Sequence, residues 1–298
     1  MNAIQTENLS KRFLSVRALR ELSLEVPQGA IYALVGPNGA GKTTAIKVMM
    51  NILAASSGRA EVLGIDSSKL KGDAFTQIGY VSENQQQPEW MRVDQFFDYL
   101  RPFYPKWDRE LETALIRQMG LPLDRKLRHL SRGMKMKAAL AGSLAYRPRL
   151  IVLDEPFTGL DPLVRDELIE SLLERAEETT ILISSHDLAE IESFSSHVGY
   201  MEEGRLKFSE EMASLVSRFR EVQVVLDSPV PTSANLPPRW LQPASSGTTF
   251  QFIDSEFDAE RTSAAIRSTL GQVRDITFAP MTLRAIFLAM AKSGRTAS

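Results

Sequence analysis

Four short runs of the chain are apolar almost without interruption: IYALVG (31–36), IGYV (78–81), LIVLDE (150–155) and TILISS (180–185). Runs this short and this apolar are the pattern of parallel strands buried on both faces, where no solvent-facing side requires polar residues. The spacing between them leaves room for crossover helices, which predicts an α/β core. Residues 85–147 read differently. Strand signals are missing there and helix formers dominate, predicting a helical subdomain with helices near 92–103, 108–119 and 132–146.

The pattern changes again after about residue 220. VQVVL (222–226), TFQFI (249–253) and VRDITF (273–278) read as strands, with a helix near 257–270 between the last two. Leu283, Ile286, Phe287 and Met290 then recur at helical spacing, which predicts a final amphipathic helix. Five of the 15 prolines fall within Pro229–Pro243. Such a density excludes a central strand or a helix and predicts an irregular connection over 228–243. The 298 residues therefore divide into a large domain, 1–218, and a small α/β domain, 219–298.

Composition narrows the function classes. With 35 Lys plus Arg against 37 Asp plus Glu, the net charge of −2 offers no electrostatic case for a nucleic-acid partner. The absence of cysteine excludes disulfides and thiolate metal sites, and suits a reducing cytosol. MNAIQTENLSKRF has no apolar signal-peptide core. No run approaches the roughly 18 apolar residues of a membrane span, so any work at a membrane requires a partner.

One motif carries explicit chemistry. Gly36, Pro37, Asn38, Gly39, Ala40, Gly41, Lys42 and Thr43 fit the spacing G-x-x-x-x-G-K-[ST] between a strand and the helical run TAIKVMMNIL, which starts at Thr44. Glycines let the backbone turn N–H groups toward an anion, and the following helix adds the positive end of its dipole. Lys42 supplies a point charge for the β- and γ-phosphates, and the Thr43 hydroxyl suits Mg²⁺. A second acidic site follows, where LIVLDEP ends a buried strand with Asp154 and Glu155. Strand alternation points them opposite ways. One carboxylate is then available to a Mg²⁺ shell, and the other to accept a proton from attacking water, which favours hydrolysis of a nucleotide over its storage.

Around these residues the chain resembles the ATPase subunit of ATP-binding cassette (ABC) transporters. The phosphate loop, LSRGM (130–134), TGLD (158–161) and ISSHD (183–187) come in that family's order, over roughly residues 2–210. The resemblance implies a P-loop NTPase core with an antiparallel β subdomain and a helical subdomain, and the C-terminal α/β appendage lies beyond it. It implies that Asp154 binds metal and Glu155 is the catalytic base. LSRGM stands where the family has LSGGQ, so Ser131 and Gly133 are implied to contact ATP held by a second copy in a head-to-tail dimer; Arg132 and Met134 depart from the commoner Gly and Gln. Locally, Ser131 is also a good N-cap for an ordinary helix. Asp161 matches an aspartate that communicates across the dimer, and GLDP also reads as a helix-capping turn. His186 matches the histidine that contacts the γ-phosphate, whereas His129 and His197 read as structural. Phe13 matches the adenine-stacking aromatic, with core packing as the rival reading.

In IGYVSENQQQP (78–88) the family usually carries a glutamine at the Mg²⁺ ion. Glu83 aligns there, with a shifted register bringing in Gln85 and a purely structural loop as the other readings. Seven aromatic residues follow within 88–108. They read either as subdomain core or as a groove for a helix of an integral-membrane permease, with Trp90, Phe97 and Tyr104 as first candidates. TGLDP, LSRGM, Glu83 and the ending MTLRAIF look most like the ATPases of exporter-type systems. The implied place is cytoplasmic, on the inner face of the membrane through the permease. A soluble ABC-type switch ATPase and an ATP-binding regulator without turnover are the alternatives.

Overall fold

Asn2–Phe13 and Val16–Pro27 form two long antiparallel strands, β1 and β2. Leu22, Leu24 and Val26 are buried while the residues between them face out, which is the one-sided pattern of an antiparallel sheet. After β3 (Ile31–Val35) and α1 (Lys42–Met49), β4 (Ser57–Val62) and β5 (Ile65–Asp66) return to this first sheet, whose order is β2-β1-β4-β5. This sheet is the antiparallel β subdomain that the resemblance implies; the apolar pattern alone does not mark its strands, because their apolar residues are diluted by charge. The computed structural model describes residues 1–83, 85–228 and 236–295.

The second sheet holds the predicted buried strands. β6 (Ile78–Ser82) leads into α2 (Val93–Leu100), α3 (Arg109–Gln118) and α4 (Arg132–Leu144). The chain then continues through β7 (Leu150–Asp154), α5 (Pro162–Leu173), β8 (Thr180–Ser185), α6 (Leu188–Ile191), β9 (His197–Glu202) and β10 (Arg205–Glu211). The strand order is β10-β9-β3-β8-β7-β6, and β3 is parallel to β8 and β9, as β7 is to β6 and β8. Every residue of β3, β7 and β8 is buried. Register pairs Val35 with Ser185, Ser82 with Asp154 and Asp154 with Ser184, so these strands end level with one another. Segments leaving their carboxyl ends therefore meet at one edge, where open α/β sheets bind ligands.

Within the helical subdomain Phe96, Phe97, Leu111, Leu115, Leu140 and Leu144 are buried. Tyr104 stacks on Tyr146 with ring centres 3.8 Å apart. The aromatic cluster thus splits: Phe97 is 1% exposed, whereas Trp90, Tyr99 and Phe103 are 67%, 50% and 59% exposed. Phe97 is corrected from a groove candidate to a core residue, because it lies on the inward face of α2 beside Phe96. Tyr104 is half-buried.

Contacts divide the chain into two compact units, Met1–Ser209 and the residues from Glu210 onward. The second contains α7 (Met212–Arg218), β11 (Arg220–Leu226), β12 (Trp240–Ser246), β13 (Thr249–Asp254), α8 (Ala259–Leu270), β14 (Val273–Pro280) and α9 (Leu283–Arg295). The sheet order is β12-β13-β11-β14, over a core that includes Val222, Val224, Trp240, Phe252 and Ile266. One prediction fails here. The proline density predicts an irregular connection over 228–243, but Trp240–Pro243 belongs to β12. β12 is an edge strand, and its register shifts between Leu241 and Ala244, so Pro243 sits at a bulge where no ladder N–H is required. Residues 229–235 of that connection, with Pro229 and Pro231, lie outside the described residues.

Candidate active site

The phosphate loop wraps around its own lysine. Gly41 has φ +105°, and a Cβ there would stand 2.6 Å from the carbonyl oxygen of Ala18. Only glycine meets both demands, and it delivers the chain into α1 at Lys42. The N–H groups of that first turn have no partner within the helix and suit an anion. Lys42 is 4% exposed, and its Nζ donates to the carbonyl of Gly36 at 2.7 Å. The same nitrogen lies 3.1 Å from Oε1 of Glu155.

The next residue, Thr43, reaches the other acid: its hydroxyl donates to Oδ1 of Asp154 at 2.9 Å. Ser184 donates to the same oxygen at 2.8 Å and accepts the Glu155 N–H at 2.9 Å. Ser184 thereby ties the two acids together from the end of the neighbouring strand. Burial pushes the Asp154 carboxyl above the usual carboxylate range, against the hydrogen bonds from Ser184 and Thr43.

Glu155 turns out of β7 with φ +54°. A non-glycine residue in this region costs about 1–2 kcal/mol, a strain met most often at functional sites. The turn changes what alternation alone predicts. Both acids reach the same phosphate-binding segment, Asp154 through Thr43 and Glu155 through Lys42, from consecutive positions on each side. The Glu155 Oε2 is 2.7 Å from Nδ1 of His186 and accepts from the Thr158 hydroxyl at 3.2 Å. Burial pushes the Glu155 carboxyl up, but the His186 hydrogen bond and the Lys42 charge outweigh it and hold the group below its ordinary range.

These groups border a cavity of about 720 Å³, walled by residues 38–44 of the loop and by Glu83, Glu155 and His186. Arg17, Arg20, Thr158 and Glu203 are among the other lining residues and were not singled out individually from the sequence. Neither was Ser184, whose full burial between the two acids shows only in the structure. The donors fit a hard divalent ion: a hydroxyl from Thr43 and a carboxylate oxygen from Asp154, with Glu83 on the same cavity wall and no sulfur.

The Glu83 N–H donates to the Asp154 carbonyl at 3.0 Å, which fixes the loop against β7. Its carboxylate pairs with Arg132. Gln85 lines the neighbouring grooves instead of this cavity. Phe13 is 41% exposed at the end of β1, beneath Lys11 with its Nζ 5.0 Å from the ring centre, which removes core packing as its role. It lies outside the cavity wall, although Val16 on the same hairpin belongs to it.

Ser131, Gly133 and Asp161 also lie outside this wall. The Ser131 hydroxyl caps α4 by accepting the Met134 N–H at 3.2 Å, and Asp161 caps α5 through Val164 N–H at 3.1 Å. Gly133 packs against Val164, whose Cγ1 would be 2.9 Å from an added Cβ. Of the other histidines, His129 takes a hydrogen bond from its neighbour Arg128, and His197 stacks beside Tyr32 with ring centres 6.3 Å apart.

A family model described as "ABC transporter" matches residues 19–158. The ABC transporter ATP-binding protein YtrB of Bacillus subtilis is 31% identical over 229 residues, covering 76% of this chain and 78% of that protein. The bacitracin transport ATP-binding protein BcrA of Enterococcus faecalis is 31% identical, covering 73% of this chain and 72% of its own. Among solved structures, an ATP-binding subunit of an ABC transporter superposes with a TM-score of 0.66 at 27% identity, over 72% of this chain and 92% of that one.

Proposed function

This chain belongs to the ATP-binding proteins of ABC transporters, the ATP-hydrolysing subunits that power transport, and we propose that the transport it drives is export through separate integral-membrane permease subunits. Similar proteins named for lantibiotic transport and for daunorubicin resistance support export. Among the described residues no helix is long and apolar enough to cross a membrane, so a permease would supply the passage. In this reading the chain works on the cytoplasmic, inner face of the membrane. The soluble switch is the weaker reading, because the similar proteins are named for transport.

One observation carries the chemistry: Glu155, held ionised between Lys42 and His186 at the mouth of the phosphate loop. ATP would place its β- and γ-phosphates on the loop N–H groups and on Lys42, which gives up part of its pairing with Glu155 as the phosphates arrive. The freed carboxylate is then the general base for water attacking the γ-phosphorus. His186, bonded to Oε2, fixes the direction of that carboxylate and reaches toward the γ-phosphate. Thr43 and Asp154 would hold Mg²⁺, which when bound neutralises charge on the β- and γ-oxygens, while Glu83, paired with Arg132, would face the same cavity.

Ser131, Gly133 and Asp161 serve a second copy of the chain. The capped start of α4 would meet the γ-phosphate on the partner, closing two equivalent composite sites across a two-fold axis. Phe13 would stack on adenine from the hairpin above the cavity. The apolar groove of about 730 Å³ that includes Ile52, Trp90, Tyr99 and Tyr104 is the permease-docking surface. The small domain over 219–298 contributes none of these groups.

The test is ATP-dependent dimerisation of Glu155→Gln, measured by light scattering with Mg-ATP and with Mg-ADP. A dimer with ATP and a monomer with ADP support the reading. A monomer under both conditions contradicts it.

A further inference from the structure

Arg132 occupies the first helical position of α4, beside the capping Ser131. Its Nη2 donates to Oε1 of Glu83, across the gap between α4 and the loop after β6. The guanidinium also lies against Gly159, where a Cβ would come within 3.0 Å of Nη1. Gly159 has φ +70°, so glycine both permits that turn and leaves room for the arginine. Three segments are thereby joined by one side chain: the loop after β6, the start of α4 and the turn after β7.

The other cations of α4 are engaged elsewhere. Lys135 pairs with Glu89 at 2.7 Å and Lys137 pairs with Glu167. Arg132 is thus the cation that α4 directs at Glu83. Glu83 in turn lines the same cavity as Glu155 and Lys42. A triphosphate entering that cavity meets a carboxylate at Glu83, and an unpaired carboxylate there would repel it.

We propose that Arg132 is a positioning residue for the ATPase reaction: it neutralises Glu83 and holds its carboxylate at the rim of the cavity, so that the pair acts as one unit in admitting Mg-ATP. This rests on the ATPase reading above. It joins two departures from the resembled family, Glu83 for glutamine and Arg132 for glycine, in a single exchange of a neutral pair for an ion pair. The side chains are 47% and 26% exposed, so the pair is open to screening by salt and to competition from phosphate.

The experiment is a double-mutant cycle on the full-length protein, reading kcat and KM for Mg-ATP in Glu83→Gln, Arg132→Gly and both together. Arg132→Gly alone is expected to raise KM about threefold or more with a smaller change in kcat, and the double variant to return toward wild type. The KM increase should shrink at high salt. Arg132→Lys, which keeps the charge, should recover most of the loss and guards against a folding defect. Additive effects, with no recovery in the double variant while wild type turns over ATP, would overturn this proposal alone. A wild-type chain that does not hydrolyse ATP would overturn the ATPase reading and this inference with it.

Discussion

Glu155 and His186 meet at 2.7 Å from the ends of neighbouring parallel strands, one residue past β7 and one past β8. The contact joins the carboxylate to an imidazole that is itself 40% exposed at the cavity mouth. His186→Ala should therefore lower kcat by about 10²-fold or more, with a much smaller effect on ATP binding. Steady-state turnover and nucleotide titration of the same variant would check the split.

The same contact has a pH consequence. The His186 hydrogen bond and the Lys42 charge lower the Glu155 pKa. A carboxylate depressed in the folded state contributes stability above its unfolded pKa, and that stability is lost as pH falls through the folded value. Removing His186 raises the folded pKa. The acid limb of kcat/KM should then move to higher pH in His186→Ala than in wild type, and thermal stability should become less sensitive to acid. A pH–rate profile that does not move would show that His186 leaves the Glu155 proton unaffected.

Ser184 bridges the two acids from full burial. Ser184→Ala strips the Glu155 N–H of its acceptor and Asp154 of a donor. An unsatisfied buried group costs about 1–3 kcal/mol, so the midpoint of denaturant unfolding should fall with an unchanged slope. ATP turnover should fall too, because the strained backbone at Glu155 loses its anchor.

Trp90 and Tyr99 present aromatic surface with no counterpart role in nucleotide chemistry. Replacing both by alanine should leave basal ATP hydrolysis by the purified chain near wild type and abolish transport in vesicles containing its permease. Normal transport by that variant would remove the groove from the coupling path.

The fold core was legible because strands buried on both faces leave an unmistakable apolar run, as IYALV and TILISS do. The loop from Gly36 to Thr43 was legible because its glycines answer a steric demand, which the 2.6 Å approach at Gly41 displays. Other features were not. β1 and β2 carry their apolar residues on one side among charges, and no local pattern says what will cover that side. Pro243 looked incompatible with a strand because the sequence does not tell an edge from a centre, nor mark a bulge. Strand alternation assigned Asp154 and Glu155 to opposite faces, and the left-handed turn at Glu155 altered that geometry. Ser184 and the Glu83–Arg132 pair depend on contacts between distant segments, which composition and spacing do not carry.

The central claim is that Glu155 is the base for ATP hydrolysis. Its most direct test is single-turnover phosphate release from Mg-ATP by wild type and Glu155→Gln at matched nucleotide occupancy. The glutamine keeps the shape and removes the base, so the account predicts retained ATP binding and a rate lower by about 10²–10⁴-fold. Phosphate release at the wild-type rate in Glu155→Gln would contradict it.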